Sequence, residues 1–365
     1  MAAIAHLLRW LGPWAAQDAA PTRVLRRTVE VDTATGPFPA WWYTPTSGPR
    51  RGSWILAQGL HFLGPTDPRM DRFARVLAGA GFTVLMPHVR DYMQLLVTTR
   101  AIEDFEAAFG RLLTLPDRGP GRPAVWSVSF GSLLALRLAA SERFADRVGG
   151  LMTFGGYGDW IETARFCLTG EVGAATVDRR DPLNQPAVFL NVLDRIEGAP
   201  EDPRRLSNAW RRYCRATWGL EVYKRTDARH KVAHTVASDV PVAERALFLA
   251  GCGVGEGSHE PAATAVARYP ESWAHLDPRP HLHRVRCPVR IVHAADDDVI
   301  PPQQRLVIAA ALPDTVDVEV HLTGLYGHSE PDASALSMRQ ARSALREVRT
   351  MIGLVRGFAS LPAQD

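Results

Sequence analysis

No apolar run in this sequence approaches the length that crosses a bilayer, and there is no C-x-x-C pair, internal repeat, low-complexity tract or metal-ligating motif. These gaps argue against a membrane-spanning chain, a disulfide framework, a repeat array and a zinc module. Cysteine is scarce: Cys167, Cys214, Cys252 and Cys287 stand far apart and read as free buried thiols. Excess charge is missing too. The 42 Lys and Arg face 39 Asp and Glu, a formal charge of +3 that is too mild to imply a nucleic-acid partner. The basic cluster Arg204, Arg205, Arg211, Arg212 and Arg215 reads as the wet side of a helix. The glycines from Gly251 to Gly257 fail the G-x-G-x-x-G spacing and lack a lysine, so they read as a flexible loop. Near the N-terminus, Ile4, Leu7, Leu8 and Leu11 form a helical stripe, and docking on the core is favoured over a membrane surface. Arg9 interrupts that stripe and no basic residue precedes it, so no signal peptide is expected and the default location is cytoplasmic.

The most informative stretch is Ser127-Val128-Ser129-Phe130-Gly131. It follows the apolar run Pro123 to Trp126 and precedes the helical run Ser132 to Ala139. Strand, sharp turn and helix are implied. A serine at such a turn sits in a strained backbone conformation with its hydroxyl above the sheet and a helix N-terminus beneath it. The turn demands small residues two before and two after the serine, and Ser127 and Gly131 satisfy this, although Ser127 departs from the usual G-x-S-x-G. Ser129 is therefore the candidate nucleophile. Later strands supply its candidate partners. Val289 to His293 leads into Asp296-Asp297-Asp298, and Val316 to Leu322 leads into Gly327-His328.

This order of serine, aspartate and histidine resembles the α/β-hydrolase superfamily, whose acid loop commonly reads H-G-x-x-D-x-x-V-P and whose histidine commonly follows a glycine. On that pattern Asp297 is the acid, with Asp296 and Asp298 as competitors, and His328 is the base. His321 is disfavoured because it falls within a strand. An oxyanion hole is then required, built from the backbone N–H of Phe130 and one N–H of the loop Gln58 to Gly64 after the strand Gly52 to Ala57. Leu60 is the first choice for that second donor and His61 the next. The segments Gly59 to Gly81 and Gly155 to Gly170 are also similar to a group of bacterial α/β-hydrolases of undefined substrate.

The resemblance implies an α/β fold, with a mostly parallel sheet flanked by helices and a large helical cap. The expected organisation is an N-terminal amphipathic segment at 1–20, a core at 21–155 and 286–365, and a cap at 156–285. Within the cap, Trp160, Phe166, Trp210, Tyr213, Trp218 and Trp273 are expected mostly to form its own small core, with a few lining the substrate site. The implied activity is hydrolysis of a carboxylic ester through an acyl-enzyme, acting on a small-molecule ester or acyl substrate without a cofactor or metal. An acyltransferase or thioesterase, and a non-catalytic binding protein on the same fold, are the alternatives.

Overall fold

The structure is a computed structural model that describes residues 2–12, 14–16, 18–177, 180–324 and 340–363. Alternating apolar strands and amphipathic helices set its plan. In chain order these are α1 (Ala2–Leu11), β1 (Val24–Val31), β2 (Phe38–Pro45), β3 (Ser53–Ala57), α2 (Pro68–Gly79), β4 (Thr83–Pro87), α3 (Arg90–Met93), α4 (Thr99–Thr114), β5 (Ala124–Val128), α5 (Gly131–Ala139) and β6 (Gly150–Phe154). A long insertion follows, with α6 (Trp160–Thr169), the hairpin β7 (Glu171–Val172) and β8 (Ala175–Thr176), α7 (Gln185–Val192), α8 (Arg204–Thr217), α9 (Glu221–Arg225), α10 (Ala228–Ala237), α11 (Arg245–Gly251) and α12 (Glu260–Arg268). The core resumes with β9 (Val289–Ala294), α13 (Gln304–Ala310), β10 (Val318–Thr323) and α14 (Gln340–Ser360).

Eight strands form one sheet in the order β1-β2-β4-β3-β5-β6-β9-β10. β1 and β2 pair antiparallel, as do β2 and β4, and every pair from β4 to β10 is parallel. The central strands β3 and β4 are buried along their whole length, as strands covered on both faces must be. One face is covered by α4 and α5, whose Phe105, Phe109, Leu112, Leu134 and Leu138 join a single apolar cluster with the insertion. The other carries α2 and α14, with α1 laid across them through Ala3 and Leu7. The N-terminal stripe therefore docks on the core.

Local chemistry explains the element ends. Asp67 caps α2 by accepting from the Arg69 N–H at 2.9 Å, and Pro68 occupies the first helical position, where its missing N–H costs nothing. Thr98 caps α4 through the Ala101 N–H at 3.1 Å. The short α3 was not expected from the sequence, because four residues carry no helical period.

The chain steps from β3 to β4 on one side, then crosses back to β5 on the other side of β3. Such a reversal opens a crevice at the carboxyl ends of the strands, the usual ligand position in an open α/β sheet. Residues 58–63, after β3, and the turn at Ser129, after β5, both border it.

Candidate active site

Ser129 follows the last residue of β5 and has φ of 54°, one of two non-glycine residues with positive φ among the described residues. Its N–H donates to the Phe154 carbonyl at 2.9 Å, and its own carbonyl accepts from Ser132 N–H at 3.0 Å, so both neighbours in space hold the turn. The side chain is almost buried, at 8% exposure. Gly131 follows because β3 passes too close for anything larger. A Cβ there would lie 2.4 Å from the Gln58 carbonyl oxygen and 2.5 Å from that of Ala57. Ser127 is completely buried, and among the described residues its hydroxyl has no hydrogen-bond partner.

The loop after β3 lies against this elbow. A Cβ on Gly59 would fall 3.4 Å from Ser129 Cβ, which places the Gly59–Leu60 backbone beside the nucleophile candidate. Gln58, which is buried, donates from Nε2 to the Val89 carbonyl at 3.3 Å. His61 stacks on Phe62 at 4.3 Å between ring centroids and lies 5.7 Å from Trp218. Burial holds its imidazole below the usual pKa, although Asp67 pulls the other way.

The three aspartates after β9 have separate environments. Asp296 is exposed. Asp297 is 2% exposed, and its Oδ1 accepts from the Val299 and Ile300 N–H groups, both at 2.9 Å. Its Oδ2 lies 3.2 Å from Nε2 of the fully buried His293. That nitrogen also faces the Ile300 carbonyl at 2.9 Å, so with acceptors on both sides Nε2 carries the proton and donates. Asp298 pairs with Lys224 of α9, and Lys224 Nζ is also 3.7 Å from Asp181 Oδ2. His293 and Lys224 were not singled out from the sequence. His293 stands in the strand run that the sequence shows, but its role depends on a turn only the fold reveals.

His328 lies outside the described residues. The last described segment before it is firmly held: Glu347 of α14 accepts from the Thr323 hydroxyl and the Gly324 N–H, both at 2.8 Å. His321 is occupied with Glu319, 3.2 Å away.

One cavity takes in Leu60, Ser129 and Phe130 from the core and Trp160, Asn191, Trp218 and Lys224 from the insertion. Trp160 and Trp218 thus face the site, while Phe166 is buried and Trp210, Tyr213 and Trp273 are buried within the apolar cluster that the insertion shares with the core. Among the described residues no cluster of His, Cys, Asp and Glu could hold a metal ion, and no helix is long and apolar enough to cross a membrane.

No protein-family model matches the sequence, and no curated protein matches it. Solved structures match by fold. An acylaminoacyl peptidase of Pyrococcus horikoshii gives a TM-score of 0.51 at 11% identity, over 94% of this chain and 43% of its own. A puromycin-hydrolyzing peptidase of Mycobacterium tuberculosis gives 0.51 at 15% identity, over 93% of this chain and 40% of its own. A hypothetical protein of Pseudomonas aeruginosa gives 0.51 at 14% identity, over 94% of this chain and 97% of its own. The chain spans less than half the length of the two peptidases and nearly all of the third. Together with the strand order, the crevice at the strand ends and the elbow at Ser129, these likenesses show that the chain has the α/β-hydrolase fold.

Proposed function

We propose that this protein is a serine hydrolase that cleaves a carboxylic ester through an acyl-enzyme, with Ser129, His328 and Asp297 as its triad. The observation that carries the reading is Ser129 itself. A serine held at φ of 54° beside the loop after β3, lining a cavity, is a costly conformation with little structural use. The burial of Asp297 on two backbone N–H groups supports its choice over Asp296 and Asp298.

Ser129 Oγ attacks the ester carbonyl carbon while its proton passes to His328. The oxyanion that forms accepts from the N–H groups of Phe130 and Leu60. The bond to the alcohol then breaks as His328 returns the proton to the departing oxygen. Water, deprotonated by His328, attacks the acyl-enzyme, releases the carboxylic acid and restores Ser129. Asp297 fixes the imidazole tautomer and stabilises the imidazolium. The part of the cavity under Trp160, Leu183, Val188 and Trp218 favours an apolar acyl or alcohol group.

The test is intact mass after exposure to a fluorophosphonate probe. One adduct on the native chain, lost in Ser129→Ala and slowed by at least about a hundredfold in His328→Ala and Asp297→Asn, is expected. An unlabelled native chain would sink the reading and leave a binding protein on the same fold. Comparing water with alcohol acceptors on the trapped acyl-enzyme separates hydrolysis from acyl transfer.

A further inference from the structure

Among the described residues, the other non-glycine residue with positive φ is Leu95. It has φ of 61° and is 1% exposed, in the segment between β4 and α4. A buried leucine in the left-handed region is strained, so the surroundings must impose it. They do so from the insertion. Asn191 of α7 donates from Nδ2 to the Leu95 carbonyl at 2.9 Å and accepts at Oδ1 from the Val97 N–H at 2.7 Å. The same Nδ2 also donates to the Ala187 carbonyl of its own helix at 2.8 Å, which fixes the amide plane. Arg211 of α8 adds a hydrogen bond from Nε to the Gln94 carbonyl at 2.8 Å. Two helices of the insertion thus grip one turn of the core.

That turn touches the candidate oxyanion hole on both sides. Tyr92, fully buried, donates its hydroxyl to the Phe130 carbonyl at 3.0 Å. The Val89 carbonyl accepts from Gln58, which begins the loop carrying Leu60. Phe130 is otherwise held by the Leu133 N–H on its carbonyl, at 3.2 Å, and by its ring, 5.4 Å from that of Tyr157. An N–H aimed at a developing oxyanion works only if its residue does not rotate, and the Tyr92 hydroxyl is a restraint on Phe130 from outside its own helix.

We propose that Tyr92 and Asn191 are positioning residues of the oxyanion hole: Asn191 holds the turn at Leu95, and Tyr92 in that turn holds Phe130. The inference rests on the serine-hydrolase reading and deepens it. The insertion thereby contributes to the chemistry, since its seating fixes a donor in the core. Asn191 also lines the cavity, so an acyl group resting on α7 presses on the same amide.

The experiment is fluorophosphonate labelling as a function of probe concentration for the native chain, Tyr92→Phe, Asn191→Ala and the double variant, with melting temperatures for all four. Tyr92→Phe is expected to lower the maximal labelling rate about tenfold and to move the half-saturating concentration less than twofold. A merely structural tyrosine would lower the melting temperature and leave the rate of folded protein unchanged. Asn191→Ala is expected to slow labelling similarly, and the double variant to be no slower than the worse single one, because both act through one restraint. Native labelling with an unchanged maximal rate in Tyr92→Phe, or with multiplied losses in the double variant, would overturn this inference alone. A native chain that does not label would remove the hydrolase reading and this inference with it. Failure of both single variants to fold would also overturn it, making the two residues general determinants of the fold.

Discussion

At the residue scale, the elbow shows how little freedom the backbone leaves. Gly131 faces two backbone carbonyls of the β3 end, neither of which is the movable tip of a side chain. Gly131→Ala must therefore push the loop after β3 away from Ser129. We expect a loss of about 1–3 kcal/mol in urea unfolding and labelling slowed at least tenfold in the protein that remains folded. Wild-type labelling in Gly131→Ala would show that the two loops need not touch. Ser127 answers the opposite question. Its buried hydroxyl is unsatisfied among the described residues, so Ser127→Ala keeps the small size the turn needs and removes a desolvated polar group. A stability gain of about 1 kcal/mol with unchanged labelling is expected, read as a higher urea midpoint at constant slope. A loss would mean that the hydroxyl has a partner in solution.

At the scale of elements, the insertion is joined to the acid loop through α9. Lys224 is only 16% exposed and sits between Asp298 and Asp181, while the Asp181 N–H donates to the Asp298 carbonyl at 2.7 Å. Burial by itself would lower the ammonium pKa, but the hydrogen bond to Asp298 and the charges of Asp181, Asp298 and Glu221 outweigh it and the net shift is upward from 10.5. A raised folded-state pKa contributes stability that is fully present below the unfolded value and disappears as pH rises through the folded one. Lys224→Met should cost about 1.5–3 kcal/mol from pH 7 to 10, and the gap to the native chain should close above 10.5. A gap that stays constant as pH rises past 10.5 would mean that the side chain acts by packing alone. Such links explain what could and could not be read in advance. The strand and helix alternation from β3 to β6 was legible because each element carries its own period, and the elbow was legible because strand, small residues and helix are adjacent in the chain. Asn191 meets Leu95 across 96 positions and Lys224 meets Asp298 across a gap of similar order, with no local pattern to betray either. Asp297 was separable from its neighbours only by the register of a familiar loop, whereas the fold gives it surroundings of its own, with burial and two N–H donors.

At the scale of the whole molecule, the sheet divides the interior into two apolar layers, and all four thiols lie buried. Cys167 hydrogen-bonds the Val299 carbonyl at 3.2 Å, next to the acid loop, and Cys214 and Cys252 belong to the packed centre of the insertion. Burial pushes Cys167 and Cys287 up to about 12 and raises Cys214 and Cys252 as well. The reactive form is the thiolate, so the folded chain should be inert to a disulfide reagent at pH 8 and each thiol should react only on opening. Together these shifts also set a pH limit for the fold. The unfolded chain releases its thiol protons near pH 9 while the folded chain keeps them, so the unfolded state holds fewer protons and stability falls as pH rises. Each thiol contributes a slope of up to about 1.4 kcal/mol per pH unit once above its unfolded pKa. Between pH 9 and 10 this precedes the titration of Lys224 and of the buried tyrosines, whose ordinary values are 10.5 and 10.0. Urea midpoints measured at pH 7, 8, 9 and 10 should therefore be level to about pH 8 and then fall with growing steepness. Cys167→Ala combined with Cys214→Ala should flatten the fall between pH 9 and 10 by about half. Fast modification of any thiol in the native chain at pH 8, or a midpoint that holds level to pH 10, would show that the two layers open far more readily than their packing implies.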